Sequence, residues 1–370
     1  MTLTRALFQT LLVGVIAGLV AGCSETSSAK YDFTAVDETV ARFMEDHSDV
    51  KGVTLAVVRT DEGQVYEKGW GDFGADRVSL IASLSKVLSA GVILSLVDEG
   101  LLDVDRPVSE YLDWGDYHPN VTMQQLVSMM SGIPATVFAL CTPSPCYCDP
   151  ATNIQECARK IFQDESSSVA PGTEFRYGAG AWQLAGAVAE VVSGKTWAEL
   201  VDERLVAACE LSNTGYTNSG ATLGYPEGFD GNPANAAPTD NPDLGGGAYT
   251  TVSDYSKVLL MHLRDGLCEQ ERVLSPEMVQ LMQEDLVPED AAMFPPGWRR
   301  EAINYGMGWW KYEDQPGLLV DSGRFGARAI LHPDEGWGAI MIIETTTEEG
   351  SELRKRLVPA IRAALGIDQS

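Results

Sequence analysis

Two β-rich runs at opposite ends of the chain, each folded back by a turn signal, constrain the fold more than any other feature. Residues 53–58 (VTLAVV) and 64–70 (QVYEKGW) flank Asp61-Glu62-Gly63, and ARAILH and WGAIMIIE flank Pro333-Asp334-Glu335-Gly336. The 35–46 segment places Val36, Val40, Phe43 and Met44 on one helical face, and residues 351–365 predict a closing helix with Arg354, Lys355 and Arg356 on its solvated side. The middle reads as helices over 83–99, 122–130, 152–163, 181–193, 197–208, 253–265 and 276–284. Thr122-x-x-Gln125 and Thr152-x-x-Gln155 fit capping boxes. Strands at the ends with helices between predict an α+β fold. Its antiparallel sheet would join the first and last hairpins, with a helical region inserted, and would not be doubly wound. Residues 218–247 are rich in Gly, Pro, Asn and Asp without a period, as a functional rim or Ω-type loop would be.

The first residues predict export. Arg5 precedes an apolar run from Leu11 to Ala21, which as a helix rises only about 16 Å, against a bilayer core of roughly 30 Å. Residues 1–22 therefore read as a signal peptide. Leu19-Val20-Ala21-Gly22-Cys23 resembles a bacterial lipobox, which implies lipidation at Cys23 and membrane attachment through that lipid alone. Residues 23–31 form a polar tether, and 32–370 one domain. Ser24 after the cysteine, as in Gram-negative lipoproteins, implies an outer-membrane location facing the periplasm.

Composition excludes several partners. The chain carries 53 acidic and 26 basic side chains, a net charge of −27. Nucleic acid and anionic membrane surfaces would repel it. Six cysteines remain after Cys23: Cys141, Cys146, Cys148, Cys157, Cys209 and Cys268. An even number in an exported chain predicts disulfides, with Cys209–Cys268 the preferred single pair because both flank helices of one region. A zinc knot is disfavoured: no histidine lies within twenty residues of the 141–157 cluster, and the spacing is irregular. The four histidines, His47, His118, His262 and His332, read as structural or surface groups, and no metal or other cofactor is expected.

Ser83-Leu84-Ser85-Lys86 opens the strongly apolar helix ASLSKVLSAGVILSLVDEG. Residues three apart share a helical face, so Ser83 and Lys86 point the same way. A hydroxyl needs a base to become a nucleophile, and a desolvated lysine of lowered pKa can serve. The helix start adds a backbone N–H and positive potential for an oxyanion. The tether's Ser27-Ser28-Ala29-Lys30 matches the same bare motif, so only the hairpin before Ser83 and the apolar helix behind it single out the second copy. There is no G-x-S-x-G elbow. Ser193-Gly194-Lys195-Thr196 fails as a phosphate loop because Ala189 stands where its first glycine belongs.

Around Ser83 the chain resembles the serine β-lactamase-related superfamily, which groups class C β-lactamases, DD-peptidases and family VIII-type esterases. The resemblance runs over residues 35–365. Its landmarks are Val97-Asp98-Glu99-Gly100, Leu102–Val108, the VTMQQLVSMMSGIP segment (121–134) and Pro171–Tyr177. Gly245-Gly246-Gly247 before Thr250-Thr251-x-x-Asp254, Val273–Pro276 and Tyr305–Trp310 complete them.

The resemblance implies a base role for Tyr177, whose phenol, near pH 10 when unperturbed, an ammonium such as Lys86 would lower. Ala179 stands where the superfamily has an asparagine, and a methyl group offers no hydrogen bond. Tyr216-Thr217-Asn218 is a literal Y-x-N, but it lacks the lead-in and is the less favoured match. The third motif aligns with Asp321-Ser322-Gly323, followed by Arg324. Asp321 replaces a cation that relatives use to hold a substrate carboxylate, Ser322 keeps a hydroxyl, and Gly323 allows close approach of a ligand. The N–H groups of Ser83 and Arg324 are the expected oxyanion donors. Arg324 or Arg328 would restore positive charge on one strand face, and the sequence leaves open which face that is.

These departures favour an exported serine hydrolase acting through an acyl-enzyme at Ser83 on an ester or small amide. A β-lactamase or DD-peptidase is the alternative within the same chemistry. A catalytically weakened module binding cell-wall or peptide ligands is the alternative outside it. Trp182 is expected in the core rather than on a cleft wall.

Overall fold

The computed structural model describes residues 30–114, 117–134, 145–149, 151–165, 168–218, 225–226, 229–235, 239–294 and 303–367. Cys23, Cys141 and the signal and lipobox segment lie outside them, as does most of the tether.

The two end hairpins meet in one sheet. Gly52–Arg59 pairs antiparallel with Gly63–Gly71 on one side and with Trp337–Ile343 on the other. The sheet continues through Arg328–His332, Leu319–Ser322, Trp310–Tyr312 and Ile303–Tyr305, antiparallel throughout. Its central strands are buried on both faces, which is why they read as continuous apolar runs rather than as alternation.

On one face Val53, Leu55, Val57, Met341 and Ile343 pack against Val36, Val40 and Phe43 of the helix Thr34–Asp46. Leu353, Leu357 and Ile361 of the helix Thr347–Ala364 join them. On the other face Ala56, Val58, Ile340 and Ile342 meet the helical region, centred on the helices Ser85–Asp98 and Gly180–Ser193. Trp182 is fully buried there, as expected. Within the closing helix Arg354 departs from the expected solvated side. It is 6% exposed and donates to Gln315 Oε1 at 2.6 Å, beneath the strand ends.

The Thr122 capping box forms as read. The second start does not: the helix Ile154–Phe162 is capped by Asn153, whose side chain accepts the Glu156 N–H, one residue later than the Thr152 pattern implied. Gly194 and Thr196 end one helix and begin the next, which accounts for the residues that mimic a phosphate loop.

Disulfides join Cys209 to Cys268 and Cys146 to Cys157, and Cys148 is also disulfide-bonded. Among the described residues no helix is long and apolar enough to cross a membrane, and no cluster of side chains is suited to holding a metal ion.

Candidate active site

Ser83 sits in a single 3-10 turn, Ala82–Leu84, that runs into the helix Ser85–Asp98. The residue before it, Ala82, has φ of +47°, a conformation an alanine holds only when its surroundings impose it. Ser83 is 8% exposed and Lys86 is fully buried one turn on. Lys86 Nζ donates to Ser83 Oγ at 3.1 Å and to the backbone carbonyl of Gly245 at 2.5 Å.

Tyr177 arrives from the short strand Glu174–Arg176, just ahead of the helix Gly180–Ser193. Its hydroxyl faces Ser83, and Lys86 Nζ lies 4.8 Å from its ring centroid. Trp310 and Tyr305 pack around the phenol with centroids 5.0 and 6.0 Å away. The hydroxyl, amine and phenol singled out in the sequence therefore meet at one point.

Tyr216 does not join them. Its hydroxyl donates to the Ser85 carbonyl at 3.0 Å and pairs with Ser89 Oγ at 2.8 Å, and Asn218 Nδ2 donates to the Tyr147 carbonyl at 3.1 Å. The literal Y-x-N braces the back of the helix.

The strand Leu319–Ser322 brings the third motif to the same place. Gly323 is required here: a Cβ at this position would lie 2.4 Å from the Ile81 carbonyl oxygen. This close approach sets the strand end beside the turn that carries Ser83. The Gly323 N–H donates to Ala327 O at 2.9 Å, whereas the Arg324 N–H makes no backbone hydrogen bond among the described residues.

Asp321 is fully buried on the helical face of the sheet, with Oδ1 accepting the Ser322 N–H at 2.7 Å. Burial on this scale keeps it from solvent. Arg328 resolves the question of strand face: it turns under the closing helix, donating to Gly323 O at 2.8 Å and Ser351 Oγ at 2.8 Å, so its guanidinium does not line the cleft. Arg324, beyond the strand in the turn, stays half-buried.

The electrostatics follow from burial. Desolvation lowers the Lys86 pKa below the usual lysine range, while Asp243 and Asp321 oppose that shift. Desolvation raises Asp321, and Lys86, the Ser322 N–H and Arg328 pull it back. The sequence reading has Lys86 lowering Tyr177, but here the phenol is driven upward. Burial and then the Asp321 charge outweigh the opposing effect of Ser83. Tyr177 is thus a protonated phenol at neutral pH, suited to donate a proton rather than to extract one.

Two participants escape a sequence reading. Asp243, 1% exposed, faces Lys86 from the 239–247 segment and is pushed up to about 6 by burial. Tyr147 interacts with it from the cysteine-rich insertion. The available signal was an acid two residues ahead of the glycine triplet, but nothing in the spacing ties either residue to Lys86.

The comparisons with known proteins identify the family and the fold. The family model described as "Beta-lactamase" matches residues 36–363. The chain is 23% identical over 285 residues to the D-alanyl-D-alanine-carboxypeptidase/endopeptidase AmpH of Escherichia coli K12, covering 72% of this chain and 71% of that protein. It is 26% identical over 287 residues to penicillin-binding protein 4 of Amycolatopsis lactamdurans, covering 73% and 72%. Its fold is shared with EstCE1, a hydrolase with promiscuous acyltransferase activity, at a TM-score of 0.68 and 18% identity over 88% of this chain and 99% of that one. With a family match across nearly the whole described domain, this chain belongs to the beta-lactamase family of serine hydrolases.

Proposed function

We propose that the protein is an exported serine hydrolase that forms an acyl-enzyme at Ser83 on an ester or small amide. The observation that carries this reading is the buried Lys86 Nζ 3.1 Å from Ser83 Oγ, with Tyr177 facing the same hydroxyl. Neutral Lys86 takes the Ser83 proton as Oγ attacks the substrate carbonyl carbon. The N–H groups of Ser83 and Arg324 hold the oxyanion. The proton then passes through Tyr177 to the leaving oxygen or nitrogen, and that bond breaks. Water, deprotonated by the same lysine, releases the acid and restores Ser83.

Asp321 supports an ester over a carboxylate-bearing β-lactam or peptide. The position that relatives are expected to fill with a cation holds a buried acid, and Arg328 points away. One observation favours the β-lactamase or DD-peptidase alternative: the Arg324 guanidinium lies at the end of the strand with Nη1 unpartnered among the described residues. It would serve as a substitute carboxylate anchor; one relative is named a D-alanyl-D-alanine-carboxypeptidase/endopeptidase and another a penicillin-binding protein. Location follows the sequence reading: lipid attachment at Cys23, facing the periplasm from the outer membrane.

Turnover of p-nitrophenyl butyrate, abolished by Ser83→Ala, is the expected result. Burst hydrolysis of a chromogenic cephalosporin without ester turnover would favour the alternative. No reaction with either substrate would leave a binding module.

A further inference from the structure

The second motif of this chain has lost its amide, yet Lys86 is not left without a support. The turn Asp243–Gly247 takes up the position. The Gly245 carbonyl accepts from Lys86, and a Cβ added to Gly245 would lie 3.6 Å from Ala179 Cβ and 3.5 Å from Lys86 Nζ. A methyl at 179 leaves space for this turn, and a larger amide side chain would compete with it.

Asp243 organises the turn. Its carbonyl accepts the Gly247 N–H at 2.7 Å and the Gly246 N–H at 3.3 Å, and its own N–H donates to Thr217 O at 3.0 Å. Behind it sits Tyr147, 1% exposed, flanked by Cys146 of the Cys146–Cys157 disulfide. Buried amides bolt the insertion to the turn: Asn241 Nδ2 donates to Cys146 O at 2.9 Å, and Gln183 Nε2 donates to Asn241 Oδ1 at 2.6 Å.

We propose that Asp243, braced by Tyr147 of the disulfide-bonded insertion, is a positioning residue that stands in for the missing second-motif amide. It locks the Gly245 carbonyl onto Lys86 and faces the ammonium with a compensating charge. The proposal rests on the reading of Lys86 as the base for Ser83. Asp321 from the sheet and Tyr177 from the segment ahead of its helix are the other ionisable groups facing Lys86. The Cys146–Cys157 bridge ties this part of the insertion to the helix Ile154–Phe162.

The test is a pH titration of Lys86 by NMR of the oxidised chain labelled with 13Cε-lysine, run beside ester kinetics. Asp243→Asn is expected to move the Lys86 titration to lower pH by on the order of one unit, because an anion facing the ammonium is removed. It should also lower kcat about tenfold while KM stays within about twofold. Tyr147→Phe is expected to shift the titration in the same direction by less, and it decides the question alone if Asp243→Asn fails to fold. A Lys86 resonance that titrates at the same pH in all three proteins would overturn the proposal. Absence of ester turnover by the unmodified protein would count against the hydrolase reading, while the resonance still reports on Asp243.

Discussion

Gly323 abuts the carbonyl oxygen of Ile81 so closely that a methyl group added there would lie 2.4 Å from it. Ile81 ends two residues before Ser83, so this contact fixes the distance between the strand that brings the third motif and the turn that carries the nucleophile. The obstacle is backbone on both sides and cannot rotate away. Gly323→Ala is expected to destabilise the fold by about 1–3 kcal/mol, as overpacking does. It should also lower kcat/KM on the order of 100-fold by displacing the Arg324 N–H. Chemical denaturation and ester kinetics measure both. A variant of unchanged activity would mean that the strand end does not set the oxyanion geometry.

The acylation rate has a defined pH dependence. Only neutral Lys86 can take the Ser83 proton, and burial lowers its pKa. Activity is therefore expected to rise with pH through one ionisation that lies below the ordinary lysine value of about 10.4. Tyr177 is raised and stays protonated, so no phenolate limb should cut activity in the alkaline range. Asp321→Asn removes an anion that favours the ammonium, so its limb should move to lower pH. A limb that moves to higher pH would contradict the assignment.

His262 offers a stability prediction independent of the site. It is 2% exposed, packs edge-on to Trp309 with centroids 5.4 Å apart, and is lowered to about 3 by desolvation. The unfolded chain takes this proton near pH 6.5 and the native state near 3, so between those values the unfolded state binds more protons. Stability should thus fall as pH drops through that window, with this residue contributing about 1 kcal/mol per pH unit. His262→Leu should flatten that slope in urea titrations between pH 4 and 6. An unchanged slope would show that the imidazole is protonated in the native state.

The sheet was readable because the runs at 53–70 and 327–344 carry their own turns, and the central strands Gly52–Arg59 and Trp337–Ile343 are buried on both faces. The Ser83–Lys86 spacing was equally legible, since a helix places residues three apart on one face. What the sequence does not display is how buried polar groups are partnered. Arg354 looks like a solvated helix charge, yet it caps the strand ends through Gln315. Tyr177 looks like a phenol beside an ammonium, yet burial, and after it the charge of Asp321, distant in sequence, drives its shift upward. Asp243 reaches Lys86, and Tyr147 reaches Asp243, only through the packing of two loops whose conformations carry no periodicity.

Covalent capture at Ser83 tests the central claim most directly. The protein should be incubated with a fluorophosphonate and measured by intact mass, with the modified peptide mapped. The predicted result is a single adduct on Ser83, absent from Ser83→Ala and strongly slowed in Lys86→Met. No adduct, or one that persists in Ser83→Ala, would contradict the assignment of Ser83 as the nucleophile.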